Sequence, residues 1–331
     1  LTQVARAAKR LPTSVRFALT GTPIENRLSE LWSIFDFLMP GLLGTRESFA
    51  KRFESPVEHA EGDSAARLQA LVSPFVLRRV KEDVVADLPE KIEDTVMAQL
   101  TGEQRKLYLA NQDRIAQQVQ HREAGEFKKD KLKVLAELTK LRQICCDPRL
   151  HYEDYKAGSA KLDTCMELVH GALDGGHRIL LFSQFTGMLD IIGKRLAKED
   201  IAFLKLTGAS SKESRAKMVA QFQAGEVPVF LISLKAGGVG LNLTAADVVI
   251  HYDPWWNVAA QDQATDRAHR IGQQHTVTVY KLIAKDTIEE HIMQMQESKR
   301  DLVNSVLGGD GISSALFTRE DVLALLGGDG R

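Results

Sequence analysis

The 331-residue sequence carries 43 Lys and Arg against 44 Asp and Glu, a formal charge of -1, so total charge does not announce a nucleic-acid binder. Any contact with a polyanion must come from local placement. Its length suits about two domains, and with no apolar run approaching the ~18 residues of a membrane span it describes a globular chain and excludes a membrane protein.

Residue 1 is Leu, and Leu1 to Leu19 has neither a basic start with a continuous apolar stretch nor a small-residue cleavage site, which predicts a fragment rather than a secreted precursor. Val15-Arg16-Phe17-Ala18-Leu19 predicts a short strand that runs into a Thr20-Gly21-Thr22-Pro23 loop. Leu28, Leu31, Trp32 and Phe35 recur at helical spacing, and Pro40-Gly41 stops that helix. Thr101 to Arg142 is again helical in pattern, with a local excess of Lys and Arg that marks a solvated face or a basic protrusion. Cys145, Cys146 and Cys165 show neither the paired spacing nor the His partners of structural zinc, so reduced thiols and no metal are expected.

Beyond Ser159 short apolar runs alternate with amphipathic stretches, the signature of an α/β fold with a parallel sheet and crossover helices. Strands are predicted at Arg178 to Ser183, Phe203 to Leu206, Val229 to Ser233, Val248 to Tyr252 and Val277 to Ile283. Ser210-x-x-Glu213 and Asp286-x-x-Glu289 have capping-box spacing. The tail after Gly308-Gly309 predicts one short helix, Arg319 to Leu326.

In an open parallel sheet ligands sit beyond the carboxyl ends of the strands. The residues placed there are Ser183-Gln184-Phe185-Thr186, Thr207-Gly208, Leu234-Lys235-Ala236-Gly237-Gly238-Val239-Gly240 and Asp253-Pro254-Trp255-Trp256-Asn257. Hydroxyls, accessible glycine amides, one lysine and one Gln suit phosphate contacts, although singly each has a bland alternative as a turn, a helix cap or core. Gly238-x-Gly240 invites a dinucleotide reading, but Leu243 replaces the third glycine and no acidic residue follows about 20 positions on.

The stretch Gln263 to Gln273 is the sharpest feature. Arg267 and Arg270 lie three apart, which on a helix puts both side chains on one face able to converge on one anion. His269 between them is expected to be structural. No G-x-x-x-x-G-K-[ST] occurs; the nearest approach, Gly187 to Gly193-Lys194-Arg195, is one residue too long. No Asp-Glu dipeptide occurs either, so the chain lacks a β,γ-phosphate cradle and a Mg²⁺-binding acidic pair and is expected not to hydrolyse ATP alone.

Together these residues resemble the Swi/Snf-type ATPases of helicase superfamily two, from Leu19 to about Ser298. Leu19 to Asn26 resembles that family's third motif, Leu77-Arg78-Arg79-x-Lys81-x-Asp83 with Leu88-Pro89-x-Lys91 its inter-lobe linker, and Leu141-Arg142-Gln143-Ile144-Cys145 the end of its helical protrusion. Leu180 to Phe185, Ser233 to Asn242 and Gln263 to Gln273 resemble its fourth, fifth and sixth motifs; Val258 and Cys146-Asp147 depart from its pattern.

The resemblance implies a RecA-like parallel sheet with a helical insertion and a remnant of the preceding lobe. Residues 1-75 would be the end of the first lobe, 76-100 the linker, 101-158 the protrusion, 159-305 the second lobe and 306-331 the tail. By the same resemblance Arg267 and Arg270 would act as arginine fingers, with Gln263, Gly238 and Gly240 at the nucleotide. Ser183, Gln184, Thr207, Gly208, Lys235, Ala236, Trp256 and Asn257 would bind a DNA strand, and Thr20, Gly21, Thr22 and Pro23 would couple the lobes. ATP with Mg²⁺, bound mainly by the missing lobe, and the backbone of double-stranded DNA are the implied ligands, with a DNA-bound protein as a further partner. A monomer in the cytoplasm is expected, on the nucleoid in a bacterium and in the nucleus in a eukaryote. The rival readings are a non-catalytic nucleic-acid or protein docking module and a nicotinamide-binding domain.

Overall fold

The computed structural model describes residues 3–20, 28–54, 64–77, 88–120, 124–237, 240–256, 258–294, 322–323 and 325–326. It divides into two compact units: 1–80 with 256–259 and 295–316, and 81–255 with 260–294 and 317–331.

In the first unit α1 (Gln3–Lys9), α2 (Leu28–Leu38), α3 (Arg46–Phe49) and α4 (Ser64–Val72) are helical. Leu31, Trp32 and Phe35 of α2 bury their shared face against Leu43, Phe49, Phe53, Leu68 and Val72. Trp32 Nε1 donates to Gly44 O at 3.0 Å, so the indole is buried without losing its hydrogen bond. The strand predicted at Val15–Leu19 does not form. A strand needs a neighbour for its amides, and here Arg16 pins the segment instead, donating to Phe37 O at 2.7 Å while Val15, Phe17 and Leu19 stay exposed.

The second unit is built on a six-stranded sheet ordered β1-β6-β5-β2-β4-β3, with every pairing parallel. Its strands are β1 (Lys91–Gln99), β2 (Ile179–Ser183), β3 (Phe203–Leu206), β4 (Val229–Ser233), β5 (Val248–His251) and β6 (Val277–Lys285). β2, β4 and β5 are buried along their whole length, which is why they read as unbroken apolar runs. Lys91–Gln99, expected in the linker, is instead the edge strand, so the sheet begins there and not at 159. β1 is exposed at most positions and carries Glu93 and Asp94, so it lacks the apolar signature of its neighbours. Its pairing residue for residue with β6 holds it, helped by Lys281 and Lys91, which lie 2.6 and 2.7 Å from Glu93.

Helices α5 (Gly102–Gln120) and α6 (Ala124–Cys146) form the protrusion. Gln104, buried at its base, donates to the carbonyls of Ile144 and Cys145 at the end of α6 and accepts from Ala160 N, tying both helices to the start of α7 (Ala160–Asp174). One face of the sheet packs on α7 and α8 (Thr186–Lys198), the other on α9 (Lys212–Gln223) and the end of α11 (Val258–Thr265). Gly193 makes close packing of α8 on β3 possible: a Cβ there would stand 2.9 Å from Phe203 Cζ. Among the described residues between β4 and β5, only the single turn α10 (Leu234–Gly237) is helical.

Neither capping box forms at its predicted spacing. Ser211, not Ser210, caps α9, while Ser210 Oγ accepts from Thr207 N. Asp286 N donates to Glu290, leaving Glu289 free for the interior. Glu289 and Lys161 form a fully buried ion pair at 2.8 Å, and the carboxylate also accepts from Ala284 N at 2.9 Å. Burial alone would lower the Lys161 pKa, but Glu289 beside it holds it above the ordinary lysine value. Of the tail helix only Val322, Leu323, Leu325 and Leu326 lie among the described residues; Val322, Leu325 and Leu326 are buried, and Leu326 O accepts from Gln112 Nε2.

Candidate nucleotide and nucleic-acid site

After β2 the chain crosses to β3 over one face, through α8; after β5 it crosses to β6 over the other, through α11. Since β2 and β5 are neighbours, the crevice at their carboxyl ends is the topological switch point of the sheet, where open α/β folds place ligands. Its floor is a hydrogen-bonded network. Asp253, buried just beyond β5, accepts from Ser183 Oγ and from Gln184 N and Nε2. Gln184 Oε1 in turn accepts from Arg142 Nη1 at 3.1 Å, and Arg142 Nη2 also donates to Pro254 O. Arg142 comes from α6 and is 1% exposed.

At this edge two of the residues expected to grip DNA take part in the network. Ser183 is fully buried and both ends of the Gln184 amide are engaged within the protein, because Asp253 needs donors once it leaves water. In this state the Ser183 hydroxyl is turned to the interior, while the half-buried Gln184 amide has its oxygen and one N–H engaged within the protein. The surface next to them is the first turn of α8, which has no side-chain cap.

Thr207 and Gly208 end β3 in a tight turn in which Ser210 N donates to Thr207 O and Ala209 N to Thr207 Oγ1; Gly208 is exposed. Ala236 is buried within α10, so its contribution is a backbone carbonyl, which accepts from Arg215 Nη1 at 3.1 Å. Gly240 adopts φ +49 with open space where a Cβ would stand. Because a helical turn separates β4 from these glycines, the strand–glycine turn–helix context of a dinucleotide fingerprint is not met. Trp256 is half-buried and Thr20 exposed. Gly21, Thr22, Pro23, Arg78, Arg79, Lys81, Asp83, Gly238, Asn257 and the side chain of Lys235 lie outside the described residues.

Arg267 and Arg270 are not on a helix, contrary to the periodicity. α11 ends at Thr265 and the chain continues in turns, in which the carbonyls of Arg267 and Ala268 are claimed by donors from outside the helix. Leu243 N donates to Arg267 O, and the buried Gln273 amide donates to Ala268 O, Thr244 O and Ala246 O. His269 Nε2 donates to Pro89 O at 2.8 Å. The two guanidinium groups nevertheless stay close enough to act on each other. Burial, and after it the positive charge of Arg270, lowers the Arg267 pKa, with Asp266 opposing. Arg270 is exposed and donates to Leu241 O at 3.4 Å, and among the described residues no carboxylate lies within ion-pair distance of it. Gln263 lies half-buried on α11, one turn before Arg267.

His251, which sequence reasoning missed, anchors α11 to β5. It is buried, stacks on Phe182 and is bonded through Nε2 to Thr265 Oγ1 at 2.8 Å. The Thr265 hydroxyl donates to Gln261 O, so the ring donates from Nε2, and Nδ1 has no partner among the described residues. Burial, with Lys281 adding to it and Glu93 opposing, pushes its pKa down to about 3.

The SNF2-related domain family matches residues 1–150, and the helicase conserved C-terminal domain family matches residues 160–272. A Mycoplasma pneumoniae protein described as an uncharacterized ATP-dependent helicase is 40% identical over 97% of this chain and 31% of its own length. The SWI2/SNF2 ATPase core domain of Sulfolobus solfataricus is 38% identical, with a TM-score of 0.61 over 98% of this chain and 67% of that one. The same core in complex with double-stranded DNA gives a TM-score of 0.58 over 93% of this chain and 65% of that one, again at 38% identity. The chain spans about a third of the length of the curated relatives it matches. Two family matches in series, a six-stranded parallel RecA-like sheet and ATPase cores that superpose on nearly the whole chain lead to one assignment: the chain belongs to the Swi/Snf-type ATPases of helicase superfamily two.

Proposed function

We propose that this chain supplies the arginine-bearing and DNA-contacting part of a DNA-stimulated ATPase that travels along double-stranded DNA and remodels protein bound to it. The observation that carries the nucleotide half of this reading is the pair Arg267 and Arg270. Arg270 is exposed, with no carboxylate within ion-pair distance among the described residues, and its positive charge reaches the half-buried Arg267, so a phosphate arriving there would meet two guanidinium groups. ATP with Mg²⁺ supplies the γ-phosphoryl group and the metal charge. This chain supplies Arg270, Arg267 and Gln263 as donors to the negative charge that develops during transfer. An arginine in that role is worth ~10³ to 10⁵ in rate, or about 4 to 7 kcal/mol.

The DNA half is supported by the strand-end turns at Thr207-Gly208 and at the uncapped start of α8, and by the DNA complex formed by the similar Sulfolobus core. Contacts to the phosphate backbone would make binding independent of sequence and steeply salt-dependent. Because the sequence has neither a phosphate-binding lysine loop nor an Asp-Glu pair, the chain by itself turns over no ATP in this reading. It works as a monomer wherever the cell keeps its DNA.

In the full-length protein, Arg270→Ala is expected to lower DNA-stimulated hydrolysis at least ~10³-fold while DNA affinity stays within about twofold. ATP turnover and DNA binding measured on the same preparation check this. Retained turnover overturns the finger role, and lost DNA binding moves Arg270 to the DNA.

A further inference from the structure

We propose that Arg142 and Asp253 are positioning residues for the DNA grip, holding the Gln184 amide as a strut between a guanidinium and a carboxylate. The inference rests on the reading of the β2 and β5 strand-end loops as DNA-facing, and it reassigns Gln184 from phosphate ligand to strut.

The polarity of that amide is dictated at both ends. Its oxygen accepts from Arg142 Nη1 and its nitrogen donates to Asp253 Oδ2. A flipped amide would set nitrogen against guanidinium and oxygen against carboxylate, so only one orientation satisfies both. The strut does not stand alone. Ser183 Oγ donates to the same carboxylate while accepting from Phe185 N at 3.1 Å, and Gln184 N also donates to it. The chain direction from the last residue of β2 to the first turn of α8 is thereby fixed by Asp253. Arg142 extends the fixation across the crevice, because its second nitrogen holds Pro254 O in the β5 loop and its guanidinium lies 5.8 Å from the Phe185 ring centre. One buried cation on α6 thus sets both walls of the switch-point crevice at once and ties them to the protrusion.

A side chain that only filled space would do none of this, and the difference is measurable. In the full-length protein Arg142→Met keeps volume and removes the donors, and Asp253→Asn keeps shape but replaces one acceptor oxygen by an NH2, which then faces one of the donors Ser183 Oγ, Gln184 N and Gln184 Nε2. Each is expected to raise the duplex DNA concentration for half-maximal ATPase stimulation roughly tenfold, with kcat at saturating DNA within about twofold. Arg142→Lys keeps the charge but not the fork and recovers part of the loss. The double variant is expected to be no worse than the more severe single one, since both act through the same amide. Thermal melting shows which variants are folded at the assay temperature; should Arg142→Met not be, Arg142→Lys and Asp253→Asn carry the test.

Unchanged half-saturation in the folded variants, or losses that add in the double one, overturns the proposal. If exchanging the exposed Gly208 for Asp weakens DNA stimulation while the network variants do not, the positioning role alone falls. If duplex DNA does not stimulate the wild-type protein at all, the DNA-facing reading falls and the proposal with it.

Discussion

Replacing Glu289 by Gln removes the counter-charge of a lysine that has no water to turn to. Lys161 and Glu289 are both fully buried, and the carboxylate receives Lys161 Nζ through both oxygens, at 3.1 and 2.8 Å. The Gln amide keeps one oxygen, for which Lys161 and Ala284 N then compete. Breaking one side of such a pair costs about 3 to 5 kcal/mol, which for a domain of this size lowers Tm by roughly 10 °C. The pH dependence separates this mechanism from simple loss of packing. Without Glu289, burial drives the Lys161 pKa below its unfolded value, so the unfolded chain binds more protons and the variant gains stability as pH rises toward about 10.4. The deficit against wild type should therefore shrink between pH 7 and pH 9, and Lys161→Met combined with Glu289→Leu should recover most of it. Urea melts of the two variants and wild type at both pH values measure this. A deficit under about 1 kcal/mol, or one that widens on going alkaline, refutes the reasoning.

The His251 ring sets a second pH dependence. Its folded pKa of about 3 lies below the unfolded value, so its contribution is fully present above about pH 6.5 and is lost as pH falls. The loss should be about 2 kcal/mol between pH 6.5 and 5, and His251→Gln should flatten that slope in denaturant melts across this range. Gly193→Ala sets a helix-propensity gain of about 1 kcal/mol against overpacking of about 1 to 3 kcal/mol. With the new Cβ 2.9 Å from Phe203 Cζ, the balance should be a lower Tm, restored by adding Phe203→Leu; an increase for the single variant would show that β3 yields.

The elements that depend on few neighbours are legible in the amino-acid sequence itself. β2, β4 and β5 are continuous apolar runs because both faces are covered, and α2 announced itself by spacing and by its Pro-Gly stop. What escaped notice depends on partners far along the chain. β1 has almost no apolar pattern, and its strand character comes from β6, 186 residues downstream at Lys91 and Val277. Val15–Leu19 looks like a strand but has no described neighbour to pair with. At the site, the identity and spacing of Arg267 and Arg270 pointed to an anion, whereas the helix assumed to carry them is broken by Leu243 and Gln273, which no local pattern encodes. Ser183 and Gln184 were visible as strand-end polar residues; that they face Asp253 and Arg142 follows only from the fold.

The pairing of β1 with β6 also governs when the second unit can mature. The outermost strand leaves the ribosome before the protrusion helices, yet its partner is the last strand of the sheet to appear. Until residue 285 has been made, the nine residues of β1 have no mate, and the growing sheet lacks its final two rungs on that flank. Such long-range closure slows folding and leaves a sticky intermediate. The charges Lys91, Glu93 and Asp94 along β1 are where a gatekeeper against premature pairing would be placed.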